Sequence, residues 1–453
     1  MNLATPGSTR HKIIVAVMFV AAAACYAGIV TVRQGPAPVG DTGPLTSVAS
    51  ALSLGELHAA AGNATLPNPP GYALLTSPFI VAFRSVVGAP AWCTTAGRAA
   101  PLRLDPAFLH DPNFTSDVNE CGAHRLQADG TAGPPLPPWY RSQGILGVAT
   151  WIVLAAGSLA LLRAGAADTL ARQAGLLLFL AFLPSASSAI VQLFHPQDIL
   201  SLGLALAGLA QAIKRRWLFA GVLFGVAILT KQFAVLILLP AVVMAPDVRA
   251  RARLVLPAVA VFGAGLLPFM LAAPRATLNN LTGFSGGGAV AGSTILTLSG
   301  VTGSVASAVA RDAPVAFAVV VCLWAARRLG RSLAEPELLV ALTLVCVGSR
   351  LVFESVIFPY YLLATSVVFF MLDLVARRSP YRSLTWCAVA AFFVALRPAD
   401  HAVQASGTLL LAVTAMVAGL TVLYIVPASR RTTGVPGDIA GQGFDLHGDA
   451  ASS

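Results

Sequence analysis

Lys231 is one of three lysines in the chain, and with Gln232 it interrupts an apolar stretch that runs from Trp217 to Pro240. An ammonium so placed is costly unless it meets an anion or a water-filled cavity, so its default reading is functional. As a compact point charge it suits a phosphate or pyrophosphate group; as a helix-end residue it can instead snorkel to the membrane surface. Upstream, Phe194-His195-Pro196-Gln197-Asp198 breaks a second apolar run. His195 can hydrogen-bond a phosphate-bearing donor or shuttle a proton. Asp198, two residues after Pro196, is equally suited to capping the helix that begins there. Arg350 and Glu354 stand four apart at the end of a third run, where they either neutralise each other or bind and orient a phosphate. Phe358-Pro359-Tyr360-Tyr361 follows. Its tyrosines read either as interface-belt residues or as a platform that stacks on a sugar. Asp41, in Gly40-Asp41-Thr42-Gly43, is placed either to deprotonate an acceptor hydroxyl or to open a turn.

The elements that must position these residues are membrane helices. The chain is 57% hydrophobic and 11% charged, whereas soluble domains carry about 25% charged residues. Many apolar runs approach the roughly 20 residues needed to cross a bilayer. The fold class expected is an all-α polytopic membrane protein of about twelve spans, near 13–32, 144–162, 175–194, 199–213, 217–229, 232–245, 254–273, 313–326, 338–353, 359–375, 384–396 and 407–426. The fifth and sixth are short enough to be kinked or half-length. The net charge of +10 is no sign of nucleic acid, because the basic residues cluster between alternate runs: Arg10/Lys12, Arg163/Arg172, Lys214–Arg216, Arg249–Arg253, Arg327–Arg331, Arg377–Arg382 and Arg430/Arg431. That is the positive-inside pattern. It makes the chain a multi-pass protein of the plasma membrane with both termini cytoplasmic. It also puts Asp41, His195, Asp198, Lys231, Arg350 and Glu354 at one outer face. The first run has no small-x-small cleavage site and reads as a signal anchor.

The expected organisation is a transmembrane domain over 1–426 and a disordered cytoplasmic tail over 427–453. Within the first, 33–143 is an extracytoplasmic loop holding seven of the nineteen acidic residues. Its apolar segment 71–87, broken by Pro78 and Arg84, predicts a juxtamembrane helix at the interface. Cys93 and Cys121 are the loop's only cysteines, and that compartment permits a disulfide between them; six cysteines in all leave the pairing open. Cys25, Cys322, Cys346 and Cys387 fall in spans as small buried apolar residues. One His and one Asp lack metal-ligand spacing, and no acidic cluster or nucleotide-sugar fingerprint is present, so neither a bound metal nor a cofactor is expected.

His195-Pro-Gln-Asp198, Lys214-Arg-Arg216, Ala220-Gly-Val-Leu-Phe-Gly225, Thr230-Lys231-Gln232-Phe233 and Pro240 together resemble the GT-C superfamily of membrane glycosyltransferases. The resemblance is closest to the actinobacterial polyprenyl-phosphate-mannose-dependent mannosyltransferases of glycosyltransferase family 87. Asn68-Pro-Pro-Gly-Tyr72 and Pro359-Tyr360-Tyr361 are similar to further elements of that family. The resemblance implies a GT-C-like bundle, a polyprenyl-phosphate sugar as donor, and a glycolipid or polysaccharide acceptor in the cell envelope. It implies an inverting transfer with Asp41 as base. Lys231 and Arg350 would contact the donor phosphate, and His195 and Asp198 would line the same cavity. The lipid-linked sugar is then a co-substrate and no cofactor is needed. A transporter or flippase of lipid-linked glycans would instead place its polar groups near the midplane, and an envelope-assembly protein that has lost its catalytic residues is a third reading.

Overall fold

The computed structural model describes residues 8–33, 52, 57–62, 69–87, 138–165, 168–191, 194–282, 296, 303–354, 359–376 and 401–432. In chain order the α-helices are α1 (Thr9–Arg33), α2 (Leu57–Gly62), α3 (Gly71–Val87), α4 (Pro138–Ala164), α5 (Leu170–Phe182), α6 (Pro184–Val191) and α7 (Pro196–Ile213). They continue with α8 (Trp217–Thr230), α9 (Val235–Met244), α10 (Val248–Ala272), α11 (Pro274–Thr282), α12 (Gly303–Leu329), α13 (Pro336–Phe353), α14 (Leu362–Val375) and α15 (His401–Thr432). Short 3-10 turns at Gln232–Ala234 and Pro359–Tyr361 lead into α9 and α14. There is no strand among the described residues. This is an all-α polytopic membrane protein.

Six segments are long and apolar enough to cross a bilayer: Thr9–Arg33, Gly144–Ala164, Leu170–Val191, Val248–Ala272, Ala308–Leu329 and Pro336–Phe353. Four more apolar helical segments, Trp217–Thr230, Gln232–Met244, Leu362–Val375 and Thr408–Tyr424, are shorter. The count of full-length crossings among the described residues is therefore well below twelve, and the physical reason is visible in α8. It spans about 21 Å at 1.5 Å per residue and stops because the backbone turns extended at Lys231 (φ −156°, ψ 129°). The third expected span is interrupted at Leu183, where Pro184 opens α6, yet Leu170–Val191 as a whole remains long enough to cross. The expected span at 384–396 lies outside the described residues. α15 continues helical to Thr432, past the tail boundary expected at 427.

Helix ends follow local chemistry. Pro196 and Pro336 occupy first-turn positions where a missing N–H costs nothing. Asp247 caps α10 by accepting from the Ala250 N–H at 2.7 Å. The outward faces of α1 and α10 are apolar, with Val17, Val20, Leu256 and Leu271 more than 60% exposed, as a lipid-facing surface requires. Cys25 belongs to that exterior and is exposed, contrary to its expected burial, because α1 packs along one side only. Cys322 and Cys346 are buried, with their sulfurs 3.8 Å apart. Cys387 lies outside the described residues.

Close helix crossings fix the directions of the chain. A Cβ on Gly203 of α7 would come within 2.6 Å of the Leu154 backbone in α4, so only glycine fits that contact. Gly221 faces Leu254 and Gly225 faces Ala258, so α8 and α10 advance together and run parallel. Gly348 faces Ala412 while Gly419 faces Ala341, so α13 and α15 are antiparallel. These directions bring the start of α7, the end of α8, the end of α13 and the start of α14 to one end of the bundle. The opposite end carries Arg163, Lys214–Arg216, Arg249–Arg253 and Arg327/Arg328. There His11 and Arg163 lie 3.8 Å and 3.7 Å from Asp168, which also accepts from Gln173, tying α1 to α4 and α5.

Candidate active site

Lys231 terminates α8, and its own N–H still bonds the Ala227 carbonyl at 2.8 Å. Ser201 of α7 adds a second contact at this end, its Oγ 2.9 Å from the Ala227 oxygen and 3.3 Å from that of Lys231. Across from it, Asp198 sits in the first turn of α7, its side chain 3% exposed. The N-cap of that helix is His195, which has no side-chain cap bond. Asp198 turns to Lys231, Oδ2 to Nζ 3.3 Å. The same oxygen is 3.7 Å from His195 Nδ1, and it makes no hydrogen bond of good geometry among the described residues.

His195 is held on both faces of its role. Gln197 Nε2 is 3.0 Å from its Nδ1, the direction of that bond following the imidazole tautomer. Its ring stacks on Tyr360 at 4.0 Å between centroids and 17° between planes. Phe194, immediately before it, holds φ 49°, a left-handed conformation that is costly for a bulky side chain. Strain of that kind persists where the surroundings over-determine it, and it often marks a site. Tyr360 in turn meets Tyr361 edge-on at 4.6 Å.

Arg350, near the end of α13, is the second buried cation. Its Nε is 3.2 Å from Glu354 Oε2, with the two side chains 14% and 5% exposed. Its guanidinium lies 4.4 Å from the Tyr361 ring centroid and 5.2 Å from that of Phe233. Such a sandwich fixes the plane of the fork. The two buried ion pairs, Lys231–Asp198 and Arg350–Glu354, belong to one neighbourhood, because Phe233 follows Lys231 by two residues.

A cavity of about 840 Å³ opens beside them. Lys231, Gln232, Arg350 and Glu354 line its polar side, and Val235, Leu238, Val259 and Phe262 are among the residues of its apolar walls. Gln232 also donates to the Leu281 carbonyl at 3.0 Å, fastening α11 to the turn. Arg311 and Asp312 of α12 complete the lining. They pair with each other at 2.7 Å and are 46% and 64% exposed. Sequence reasoning did not single them out; the available signal was an adjacent charge pair at the head of an apolar run. It also did not link α3 to this site. Gly71, at the start of α3, lies so close to Leu229 and Thr230 that a Cβ there would sit 2.5 Å from the Leu229 carbonyl. The expected helix over 71–87 is present, and its first residue touches the segment that sets Lys231.

The structure thus brings together His195, Asp198, Lys231, Gln232, Arg350, Glu354, Tyr360 and Tyr361. Asp41 and the pair Cys93 and Cys121 lie outside the described residues. The site sets cations and carboxylates against an apolar cavity near one end of the bundle. Residues 135–353 match the model of glycosyltransferase family 87. Through that segment, a little under half of the chain, the protein is similar to this family, which supports a glycosyltransferase. The matched segment carries His195, Asp198, Lys231, Gln232 and Arg350 and ends one residue before Glu354. No curated protein and no solved structure matches significantly.

Proposed function

We propose that the protein transfers a sugar, mannose in the first instance, from a polyprenyl-phosphate donor to a glycolipid or polysaccharide acceptor on the extracytoplasmic face of the plasma membrane. The observation that carries this reading is the pair of buried cations, Lys231 and Arg350, on the polar side of a cavity whose other walls are apolar. A lipid-linked sugar phosphate needs that combination: a cationic seat for the phosphate and a slot continuous with the membrane for its chain. The positive-inside rule supports the orientation, since the basic end is opposite this cavity.

In the proposed reaction the acceptor hydroxyl attacks the anomeric carbon and the bond from that carbon to the phosphate oxygen breaks. The departing lipid phosphate gains one negative charge. Lys231 and Arg350, already oriented by Asp198, Glu354, Tyr361 and Phe233, stabilise that growing charge without reorganising. His195 and Tyr360, stacked on each other, form a rigid aromatic wall on which a sugar face can rest. Attack from the side opposite the leaving group inverts the anomeric centre, and Asp41 takes the acceptor proton. Membranes carrying the wild-type chain should transfer label from polyprenyl-phosphate mannose to lipid, and the Asp41→Asn chain should not. Full transfer by a correctly inserted Asp41→Asn variant would overturn the assignment of the base. The absence of transfer from every polyprenyl-phosphate sugar would overturn the donor class.

A further inference from the structure

At the basic end of the bundle the surface of α12 forms a second, open recess, remote from the active cavity, with α15 reaching it through Tyr424. From Arg311 to Arg328 along α12 is about 26 Å at 1.5 Å per residue, close to the roughly 30 Å hydrocarbon thickness of a bilayer. The recess holds about 440 Å³ and is lined by Val320, Leu323, Trp324, Arg327 and Arg328. Arg328 lies across two rings, 4.2 Å from the centroid of Tyr424 in α15 and 5.7 Å from that of Trp324. Among the described residues neither Arg327 nor Arg328 has a carboxylate within ion-pair range, whereas Arg350, Arg311 and Arg163 each do. The residues around the two arginines are apolar or aromatic and outward-facing: Val320, Leu323 and Tyr424 are 65%, 51% and 58% exposed.

We propose that this recess binds an anionic phospholipid of the leaflet at the basic end. Its phosphate sits on Arg327 and Arg328, and an acyl chain runs along Val320 and Leu323. Three observations converge on that ligand. Two exposed, adjacent cations with no carboxylate in ion-pair range among the described residues leave their charge open to an anionic headgroup. A guanidinium held over an aromatic ring keeps N–H groups free for a two-pronged phosphate contact. The apolar surface directly below the charge is covered by a lipid chain and not by a soluble ion. Basic recesses between membrane helices on the cytoplasmic side commonly take anionic headgroups. What distinguishes this one from the other basic clusters at the same end is the aromatic seat: among the described residues, Arg328 is the only arginine there that lies over a ring. The same helix carries Arg311 and Asp312 at its far end, so a lipid held here braces one wall of the active cavity.

Native mass spectrometry of the full-length protein, purified in neutral detergent and titrated with phosphatidylglycerol, phosphatidylcholine or glycerol phosphate, tests this. The expected result is retention of phosphatidylglycerol about tenfold above phosphatidylcholine, with no retention of glycerol phosphate. Arg327→Ala/Arg328→Ala should lose that about tenfold preference, the size of one good charge-assisted contact. Arg215→Ala/Arg216→Ala, which removes equal charge elsewhere at the same end, should keep it. Arg328→Lys preserves charge and folding but removes the stacked fork, and should lose most of the preference. Equal loss in the Arg215/Arg216 variant would reduce the effect to the general positive-inside field and overturn the proposal. Equal binding of glycerol phosphate would overturn the lipid and leave a phosphate site. Undiminished retention in Arg327→Ala/Arg328→Ala would overturn the site.

Discussion

Removing Lys231 tests two roles of one residue, and the structure allows them to be separated. In a Lys231→Met chain, Asp198 is left 2% exposed without its cation partner. Breaking a buried pair from one side costs roughly 3–5 kcal/mol, because the remaining charge is stranded. Replacing Asp198 by Asn in the same chain removes that stranded charge at nearly constant volume, so most of the loss should return in the double variant Lys231→Met/Asp198→Asn. Catalysis should behave differently. If Lys231 stabilises the departing phosphate, deleting it removes a preorganised electrostatic contact, typically about 10²–10³ in turnover, and the second substitution cannot restore it. The measurements are thermal unfolding in detergent and transfer from polyprenyl-phosphate mannose in membranes, on the single variants and the double. Recovery of stability with transfer still about a hundredfold down supports the assignment. Recovery of both together would refute it, since Lys231 would then serve only to neutralise Asp198.

Arg350→Lys keeps the charge but loses the planar contact with Tyr361 and Phe233 and the geometry of the Glu354 pair; kcat/KM for the donor should fall by about tenfold, one contact of roughly 1.4 kcal/mol, measured by initial rates against donor concentration. Gly71→Ala forces a Cβ against the Leu229 backbone and should destabilise by about 1–3 kcal/mol, read as a lowered unfolding midpoint together with reduced transfer, because the segment displaced is the one that sets Lys231. His195→Phe preserves a ring to stack on Tyr360 but removes both nitrogens; stability should fall by about 1–3 kcal/mol because the buried Gln197 amide loses its partner, transfer should drop well beyond that loss, and unchanged transfer would make the histidine a packing residue only.

Much of the architecture was legible in the sequence because burial in a bilayer leaves one-dimensional traces. Apolar runs of near-constant length, basic residues between alternate runs, and a helix at 71–87 all follow from local composition. The residues now gathered at the site were visible for the same reason: Lys231, His195, Asp198 and Arg350 are each polar interruptions of an apolar run. The number of full-length crossings was less legible, since hydropathy does not say where a run stops being helical. α8 ends at Lys231 and α5 at Phe182 through backbone geometry, and apolar residues continue on both sides of each break.

What the sequence by itself determined is which charged residues interrupt the apolar runs, because each charged residue in such a run must be compensated and so stands out. What only the tertiary structure decided is which groups compensate which. Asp198 reads locally as a helix cap, yet it lies 3.3 Å from an ammonium 33 positions away. Tyr360 reads as an interface residue, yet it lies flat on His195. Arg311 and Asp312 drew no reading from the sequence, yet they line the same cavity as Lys231. These pairings depend on the directions and crossings of helices such as α7, α8 and α13, which glycine contacts between distant segments establish, and no local periodicity encodes them.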